Sequence, residues 1–362
     1  MNAPIGPLSL VKTPSRKNVV RVLDAWYVAC TSEQLRHKPL PRMVAGVPLA
    51  LFRGPGGRAA ALLDRCPHRN VPLTLGSVDG GELKCRYHGW RFDCDGAVRK
   101  IPGLPIVNGA DVHAPGRNCM AFSVVERAGY VWVWLDHKHA PRDEPFSLPQ
   151  ASWPKYLTVR YEADVEGTLH STLENILDVP HTSFLHGGLF RAEEKKNRVT
   201  AVVRRSRLGV EAQFIGEPQP PGIASKLLSP SGGIVEHWDR FFLPSVAQVE
   251  YQLGSENHIV TTSMCTPITE TRTRMFTCLS VKTRLPIALL APFVMPIAWK
   301  ILAQDKFILQ AQTHVVDRFG TETFSSTSID LLGPHILHLL KKAEAGALDD
   351  AIVRDETFTL LT

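Results

Sequence analysis

Cys66-Pro67-His68 and Cys85-Arg86-Tyr87-His88 are two Cys-His pairs separated by 16 residues, and Gly89-Trp90 follows the second pair. Each pair places one thiol and one imidazole on a short loop, an arrangement that binds zinc or an iron–sulfur cluster. A zinc finger of the C₂H₂ type keeps its cysteines in one half and its histidines in the other, whereas here each half mixes them. A Rieske-type [2Fe–2S] cluster, with two thiolates on one iron and two imidazoles on the other, fits this layout better; zinc is the alternative.

The segments around these pairs are short and apolar, and Gly and Pro residues separate them, as is typical of β-strands. Three such runs are Pro48–Phe52, Ala59–Leu63 and Tyr130–Trp134. The pattern predicts a small all-β domain from Val22 to about Leu135. Residues 136–155 are polar and rich in proline, which predicts a domain boundary within them.

The rest of the chain mixes two periodicities. Strand-like alternation predicts six strands: Val199–Arg205, Gly209–Phe214, His237–Phe242, Val246–Leu253, His258–Thr266 and Arg274–Val281. Helical patterns predict three helices: Val165–Asp178, Ile297–Val316 and Pro334–Ala345. Runs of strands beside segregated helices indicate an α+β fold.

A second group of possible metal ligands starts with His181 and His186, which are five residues apart. On an unbroken helix their side chains would lie roughly 140° apart. Pro180 interrupts a regular helix, so both imidazoles can turn toward one point. The H-x₄-H spacing alone is a weak signal whose default interpretation is two unrelated structural histidines, but Asn175 and Asp178 just upstream strengthen the metal interpretation.

A site with two histidines and one carboxylate leaves one face of Fe(II) open for dioxygen and substrate. The carboxylate has to come from elsewhere in the chain, and Asp305 is our candidate because it lies in an amphipathic helical segment, residues 303–312. From the residues alone, Asp305 could equally be a solvated side chain on a helix surface. Glu174 is the competing carboxylate, although it could instead pair with His170 one helical turn away.

Over nearly its whole length the chain resembles the catalytic (oxygenase) subunits of the Rieske non-haem iron oxygenases. The resemblance rests on C-x-H…C-x-x-H-G-W, on N-x-x-D-x-x-H-x₄-H and on a distant Asp. It implies an α+β protein in which a small all-β Rieske domain precedes a larger catalytic domain, with an antiparallel sheet flanked by helices in a helix-grip-like arrangement. The expected division is an N-terminal arm (1–20), a Rieske [2Fe–2S] domain (21–140) and a catalytic domain with mononuclear iron (141–362).

The resemblance also implies roles for individual residues. Cys66 and Cys85 would hold one iron of the cluster, and His68 and His88 the other. His181, His186 and Asp305 would bind a mononuclear Fe²⁺. Asp178 would link His181 to His88 of a neighbouring subunit, and Asn175 matches a further position of the catalytic motif. Two departures from the family pattern are Arg86, where many members have Pro, and Pro180 directly before His181.

The implied activity is oxidation of an organic substrate, hydrophobic or aromatic, by hydroxylation, demethylation or desaturation. O₂ is the co-substrate, and NAD(P)H supplies electrons through a separate flavin reductase, with or without a ferredoxin. Because the electron path crosses subunits, a homotrimer is expected, and the modest chain length favours a monooxygenase. The alternatives are a ring cis-dihydroxylating dioxygenase of the same family and, in a different class, a Rieske electron-transfer protein without oxygenase activity.

Composition restricts partners and location. A net charge of +6 without a dense basic stripe gives no support for nucleic-acid binding, but it suits an acidic redox partner. Seven cysteines without a secretory signal in the first 20 residues indicate a cytoplasmic protein with no disulfide framework. Leu285–Trp299 is apolar but short and interrupted by prolines, so it indicates the wall of a hydrophobic pocket or entrance, or a peripheral membrane contact, rather than a membrane span.

Overall fold

The structure is a computed structural model that describes residues 19–104, 112, 114–187, 198–217, 235–254, 257–283, 287–348 and 355–361, with only the backbone at 287–295. The chain forms two compact units that divide between Ser147 and Leu148, and of the described residues before Leu23, those from 19 to 22 belong with the second unit. The backbone N–H of Arg21 donates to Glu344 Oε1 at 2.8 Å. Residues 1–18 of the expected arm lie outside the described residues, and the expected boundary at 140/141 stays a prediction.

The first unit is all-β. Its strands are β1 (Trp26–Thr31), β2 (Leu40–Val44), β3 (Val47–Arg53), β4 (Ala59–Leu63), β5 (Ser77–Asp79), β6 (Glu82–Lys84), β7 (Arg91–Phe92), β8 (Val98–Lys100), β9 (Ala121–Arg127) and β10 (Tyr130–Trp134). Six of them form an antiparallel sheet in the order β1-β10-β9-β4-β3-β2, and the other four form the meander β5-β6-β7-β8. The predicted small all-β domain is therefore confirmed.

The core of the first unit comes from strands that are apolar on both faces. Every residue of β4 and of β10 is buried, which explains why their sequences are continuous apolar runs rather than alternating ones. Trp26 and Trp134 meet edge to face with ring centroids 5.7 Å apart. One Cys-His loop follows β4 of this sheet, and the other lies between β6 and β7 of the four-stranded meander.

The second unit contains one eight-stranded antiparallel sheet. Its strands are β11 (Leu157–Val165), β12 (Arg198–Ser206), β13 (Gly209–Glu217), β14 (Val235–Phe242), β15 (Val246–Leu253), β16 (Asn257–Thr269), β17 (Arg272–Lys282) and β18 (Asp355–Leu361). They are arranged in the order β11-β17-β16-β15-β14-β13-β12-β18. The helices are α1 (Leu169–Leu177), α2 (Thr182–Leu185), α3 (Ile287–Phe319) and α4 (Gly333–Glu344).

Helix α1 packs on the sheet at β14–β17 and also contacts α4, while α3 contacts α1 and β11. The predicted α+β class is confirmed, but two predicted helix starts are wrong. The first helix begins at Leu169 because β11 runs to Val165 and Thr168 caps the helix, and α3 begins at Ile287, ten residues earlier than predicted. None of the helices among the described residues combines the length and apolarity needed to cross a membrane.

Candidate functional site

The two loops that carry the Cys-His pairs share one backbone geometry. The N–H of Cys66 donates to Val71 O and the N–H of Cys85 donates to Trp90 O, each at 2.8 Å. Four residues after each cysteine, Asn70 and Gly89 donate back to its carbonyl, and both adopt a left-handed conformation with φ +61° and +70°. A local repeat of the same tight turn therefore presents the two pairs in the same way.

Within these loops the thiols are buried and the imidazoles are more exposed. Cys66 and Cys85 are each 2% exposed, and burial, together with the neighbouring Cys85 thiol, raises the pKa of the Cys66 thiol to about 11. The rings of His68 and His88 lie 4.5 Å apart between centroids. Nδ1 of His68 is buried and has no hydrogen-bond partner. Two thiols beside two imidazoles, one with an unsatisfied buried nitrogen, are the donor set that a Rieske cluster uses, so the residues fit that group.

The break between α1 and α2 brings the imidazoles of His181 and His186 close together. Helix α1 ends at Leu177, and Asp178 is extended with ψ 107°. His181 lies directly before the single turn α2, and His186 lies directly after it. The predicted interruption near Pro180 is confirmed, and the two rings lie 5.1 Å apart between centroids.

Asp305, on α3, completes the group. His186 Nε2 lies 3.1 Å from Asp305 Oδ1, and His181 Nε2 lies 3.7 Å from the same oxygen. The two Nε2 atoms are 3.3 Å apart. His181, His186 and Asp305 form the one cluster of metal-ligating side chains with this close spacing in the described part of the chain.

Hydrogen bonds on the far side of each ring fix which nitrogen faces this point. Asp178 Oδ2 accepts from His181 Nδ1 at 3.2 Å, and Gln304 Oε1 accepts from His186 Nδ1 at 3.0 Å. The tautomer in which both Nδ1 atoms donate to these oxygens leaves a lone pair on each Nε2 atom, directed toward the other ring and the Asp305 carboxylate. Asp305 Oδ1 is buried without a hydrogen-bond partner. Three electron-rich atoms that face one point fit a bound cation and repel each other without one.

The electrostatics agree with that fit. Burial lowers the pKa of His181, but the carboxylates of Asp178 and Asp305 outweigh it and raise the pKa to about 9. The site therefore carries enough negative charge to favour a cation. Two imidazoles and one carboxylate are the donor set of the facial triad that binds non-haem Fe(II) and leaves positions for O₂ and substrate.

The remaining candidates lie close to this site but outside the cluster. Asn175 is half-buried on the last turn of α1, and its role stays a prediction. Glu174 does not pair with His170, which donates from Nε2 to Gly333 O at 2.9 Å. The Glu174 carboxyl instead lies against Gly333, where any side chain at position 333 would collide with it. Burial, together with Asp178 and Asp330, raises the pKa of Glu174 to about 7.

Gln304 is the residue at this site that the sequence did not single out. The side chain of a glutamine on an amphipathic helix gives no signal by itself. Its position directly before Asp305 was the available clue, because a metal ligand is commonly accompanied by a group that orients another ligand.

Two family models match the chain in consecutive regions. Residues 25–110 match the Rieske [2Fe-2S] domain, and residues 165–345 match the vanillate O-demethylase oxygenase C-terminal domain. The first region contains both Cys-His loops, and the second contains His181, His186 and Asp305.

Individual proteins show the same likeness. Dicamba O-demethylase, oxygenase component, from Stenotrophomonas maltophilia is 37% identical over 172 residues, covering 46% of this chain and 48% of that protein. A vanillate O-demethylase oxygenase subunit from Pseudomonas sp. (strain HR199 / DSM 7063) is 31% identical over 175 residues, covering 47% of each protein. The matched stretches thus span about half the length of these curated relatives.

The structural comparison extends over more of the chain. The crystal structure of dicamba monooxygenase bound to 3,6-dichlorosalicylic acid matches 90% of this chain and 98% of its own, with a TM-score of 0.74 and 26% identity. Another structure of that enzyme, with non-heme iron and dicamba, matches with a TM-score of 0.68. The chain belongs to the Rieske non-haem iron oxygenases, as an oxygenase subunit with a C-terminal domain of the vanillate O-demethylase type.

Proposed function

We propose that this chain is the terminal component of a monooxygenase that uses O₂ and electrons from NAD(P)H to demethylate or hydroxylate an aromatic substrate. The observation that carries the proposal is the convergence of His181, His186 and Asp305 on one point, in a chain that also has a Rieske domain. The named activities of the relatives, O-demethylation of vanillate and of dicamba, favour demethylation over desaturation or cis-dihydroxylation.

We assign Cys66, Cys85, His68 and His88 as the ligands of the [2Fe–2S] cluster, and His181, His186 and Asp305 as the ligands of the mononuclear iron. When bound, the cluster supplies single electrons and the iron activates dioxygen beside the substrate. The protein orients the ligand side chains and shields the site from water. Asp178 and Gln304 hold the two imidazoles with their Nε2 atoms toward the metal position, and burial of His186, which is 2% exposed, limits access of water from that side.

Electron transfer between subunits is the second part of the proposal. Asp178 bonds His181 through one carboxylate oxygen and keeps 26% of its side chain exposed, while His88 is exposed on its loop. These two exposed groups can meet across an interface between copies of the chain, with the Asp178 carboxylate joining His181 to His88 of the partner subunit. A homotrimer closes such a head-to-tail contact into a ring.

The substrate chemistry is supported by an aromatic pair beside the iron ligand. Tyr161 of β11 and Trp299 of α3 lie 5.7 Å apart between ring centroids, tilted by 58°. Burial and the nearby Asp305 carboxylate raise the pKa of Tyr161, although a hydrogen bond with Thr277 opposes them, so this ring lies within electrostatic range of the metal site. Trp299 is half exposed, and it ends the apolar stretch 285–299, whose other side chains lie mostly outside the described residues. An aromatic ring can stack on such a pair.

The electron donor is supported by charge. Arg65, Arg69 and Arg86 are all exposed on the two cluster loops. Three exposed guanidinium groups around the cluster ligands suit an acidic protein surface, as a ferredoxin or the ferredoxin-like part of a reductase would offer. A cytoplasmic location for this reaction stays a prediction.

Reconstitution tests the function directly. The purified protein, loaded with iron and sulfide, is incubated with a ferredoxin–reductase pair, NADH and a panel of aromatic methyl ethers, and products are read by mass spectrometry. Loss of a methyl group with release of formaldehyde is the expected result. Addition of two oxygen atoms to a ring would instead identify a dioxygenase, and an intact cluster without O₂ consumption on any substrate would identify an electron-transfer protein.

A further inference from the structure

The two histidines of the mononuclear site are held by different chemical groups. His181 donates from Nδ1 to the carboxylate of Asp178, whereas His186 donates from Nδ1 to the neutral amide of Gln304. We propose that Gln304 is a positioning residue of this site, whose amide oxygen selects the tautomer of His186 that can bind iron. This inference rests on the proposed function, because it assigns Gln304 a role toward the metal that His186 would bind.

The argument depends on which proton the buried imidazole carries. His186 is 2% exposed, and its Nε2 lies 3.1 Å from Asp305 Oδ1. If Nε2 carried the proton, it would donate to that carboxylate, and one hydrogen bond would occupy two of the three ligand atoms. The amide oxygen of Gln304 can only accept, so at 3.0 Å it stabilises the opposite tautomer, with the proton on Nδ1 and a free lone pair on Nε2. Gln304 thus works against a pairing that would close the metal site.

Gln304 and Asp305 also act as one rigid unit because they are adjacent on α3. The side chains of neighbouring helical residues project about 100° apart. Gln304 and Asp305 therefore both reach the metal site only because α3 is rotated so that the site lies between the directions of the two side chains. Helix α3 is fixed in that orientation by residues one and two turns further on. Leu309 packs beside Gly167, and Thr313 Oγ1 donates to Glu166 O at 2.8 Å, just before α1. One helix segment therefore supplies the third ligand and the group that orients the second.

The test measures Fe²⁺ binding rather than turnover. Gln304→Met removes the acceptor at similar size, and Gln304→Glu retains an acceptor oxygen. Gln310→Met is the matched control, because Gln310 is exposed on the same helix. Each full-length protein carries its cluster, and Fe²⁺ affinity is measured by competition with a chelator. We expect Gln304→Met to weaken Fe²⁺ binding by about 10- to 100-fold, while Gln304→Glu and Gln310→Met stay within about threefold of the wild type.

A spectroscopic readout separates positioning from a general effect on folding. The nitrosyl complex of the Fe²⁺ site gives an electron paramagnetic resonance signal that depends on ligand orientation. We expect an altered signal for Gln304→Met and for Gln304→Asn, whose shorter amide does not reach His186, with an unaltered signal for Gln310→Met. Gln304→Asn replaces Gln304→Met in the affinity test if the methionine variant does not fold.

Three results would overturn the inference. The first is a wild-type Fe²⁺ affinity in Gln304→Met or Gln304→Asn. The second is a loss of Fe²⁺ affinity in Gln310→Met as large as that in Gln304→Met. The third is an equally large loss of Fe²⁺ affinity in Gln304→Glu. A wild-type protein that binds its cluster iron but no further Fe²⁺ would overturn the proposed function as well. A wild-type protein with the full iron content, whose Gln304 variants also bind normally, would overturn only the role of Gln304.

Discussion

Asp178 accepts two hydrogen bonds from His181, one from the ring Nδ1 at 3.2 Å and one from the backbone N–H at 3.0 Å. The carboxylate therefore fixes both the ring and the start of the turn that carries it. This double contact follows from the end of α1, where Asp178 leaves the helix in an extended conformation and reaches forward three residues. Under the proposed function, this carboxylate both orients a metal ligand and receives the electron from the partner subunit.

Replacing Asp178 by Asn is expected to uncouple the two iron sites while both stay loaded. The amide keeps the size of the side chain but removes its charge, and we expect turnover to fall by about 10- to 100-fold or more. Iron and sulfide content check the loading, and single-turnover reduction of the mononuclear site checks the electron path. Asp330→Asn is the control, because Asp330 lines the same pocket as Asp178. Wild-type turnover in Asp178→Asn would remove Asp178 from the electron path.

His181→Ala is expected to remove the mononuclear iron and spare the cluster. The substitution deletes one of the three proposed iron ligands and leaves the four proposed cluster ligands in place. The iron content should fall from about three atoms per chain to about two, while the acid-labile sulfide content and the Rieske absorption spectrum stay unchanged. Retention of the third iron together with activity would show that His181 is not a ligand.

Trp299→Ala is expected to weaken substrate binding more than the chemical step. Loss of an aromatic contact worth about 0.5–1.5 kcal/mol would raise KM by about 2- to 10-fold. The measurement compares KM and kcat for an aromatic substrate with those of Phe319→Ala, an exposed aromatic residue at the end of the same helix. A fall in kcat at unchanged KM would argue that Trp299 does not line the substrate site.

His237 predicts a dependence of stability on pH. It is 1% exposed, stacks between Phe214 and Tyr251, and bonds Glu217 at 2.8 Å and Asp239 at 3.0 Å. Burial lowers the pKa of His237, but the two carboxylates outweigh it and raise the pKa to about 9. Because the folded pKa lies above the unfolded one, the stabilisation is complete below about pH 6.5 and is lost as the pH rises through about 9.

The corresponding measurement is the free energy of unfolding in denaturant at pH 6.5 and at pH 9.5. The wild type should lose about 2–3 kcal/mol more than His237→Gln over this interval, since the variant has no titrating group at that position. An equal loss in both proteins would mean that His237 is neutral in the folded state.

The sequence predicted the ligand sets best where the ligands lie close together in the chain. Cys66 and His68 share one turn and Cys85 and His88 share another, so their spacing alone carries the chemistry. Asp305 is far from His186 in sequence, and its amphipathic segment only made it a candidate; the family resemblance favoured it over a solvated surface Asp. The structure then brings Asp305 to the histidines because α3 folds back beside α1.

Features that depend on pairing between distant strands were missed. The edge strands β11 and β18 were not predicted. The first directly precedes the predicted helix that starts at Val165, and the second lies beyond the last predicted helix. The contact between His237 and Glu217 depends on a register shift between β13 and β14 after Phe214, which no local pattern encodes. Gln304 was missed for the same reason: the direction of its side chain is set by tertiary packing.

Anomalous diffraction at the iron edge, from crystals of the protein as isolated, tests the two-site account most directly. The account predicts iron density between the Cys66–Cys85 thiols and the His68–His88 imidazoles, and a separate peak bounded by His181 Nε2, His186 Nε2 and Asp305. Iron confined to the Rieske loops, with the second position filled only by direct hydrogen bonds among those three side chains, would contradict it.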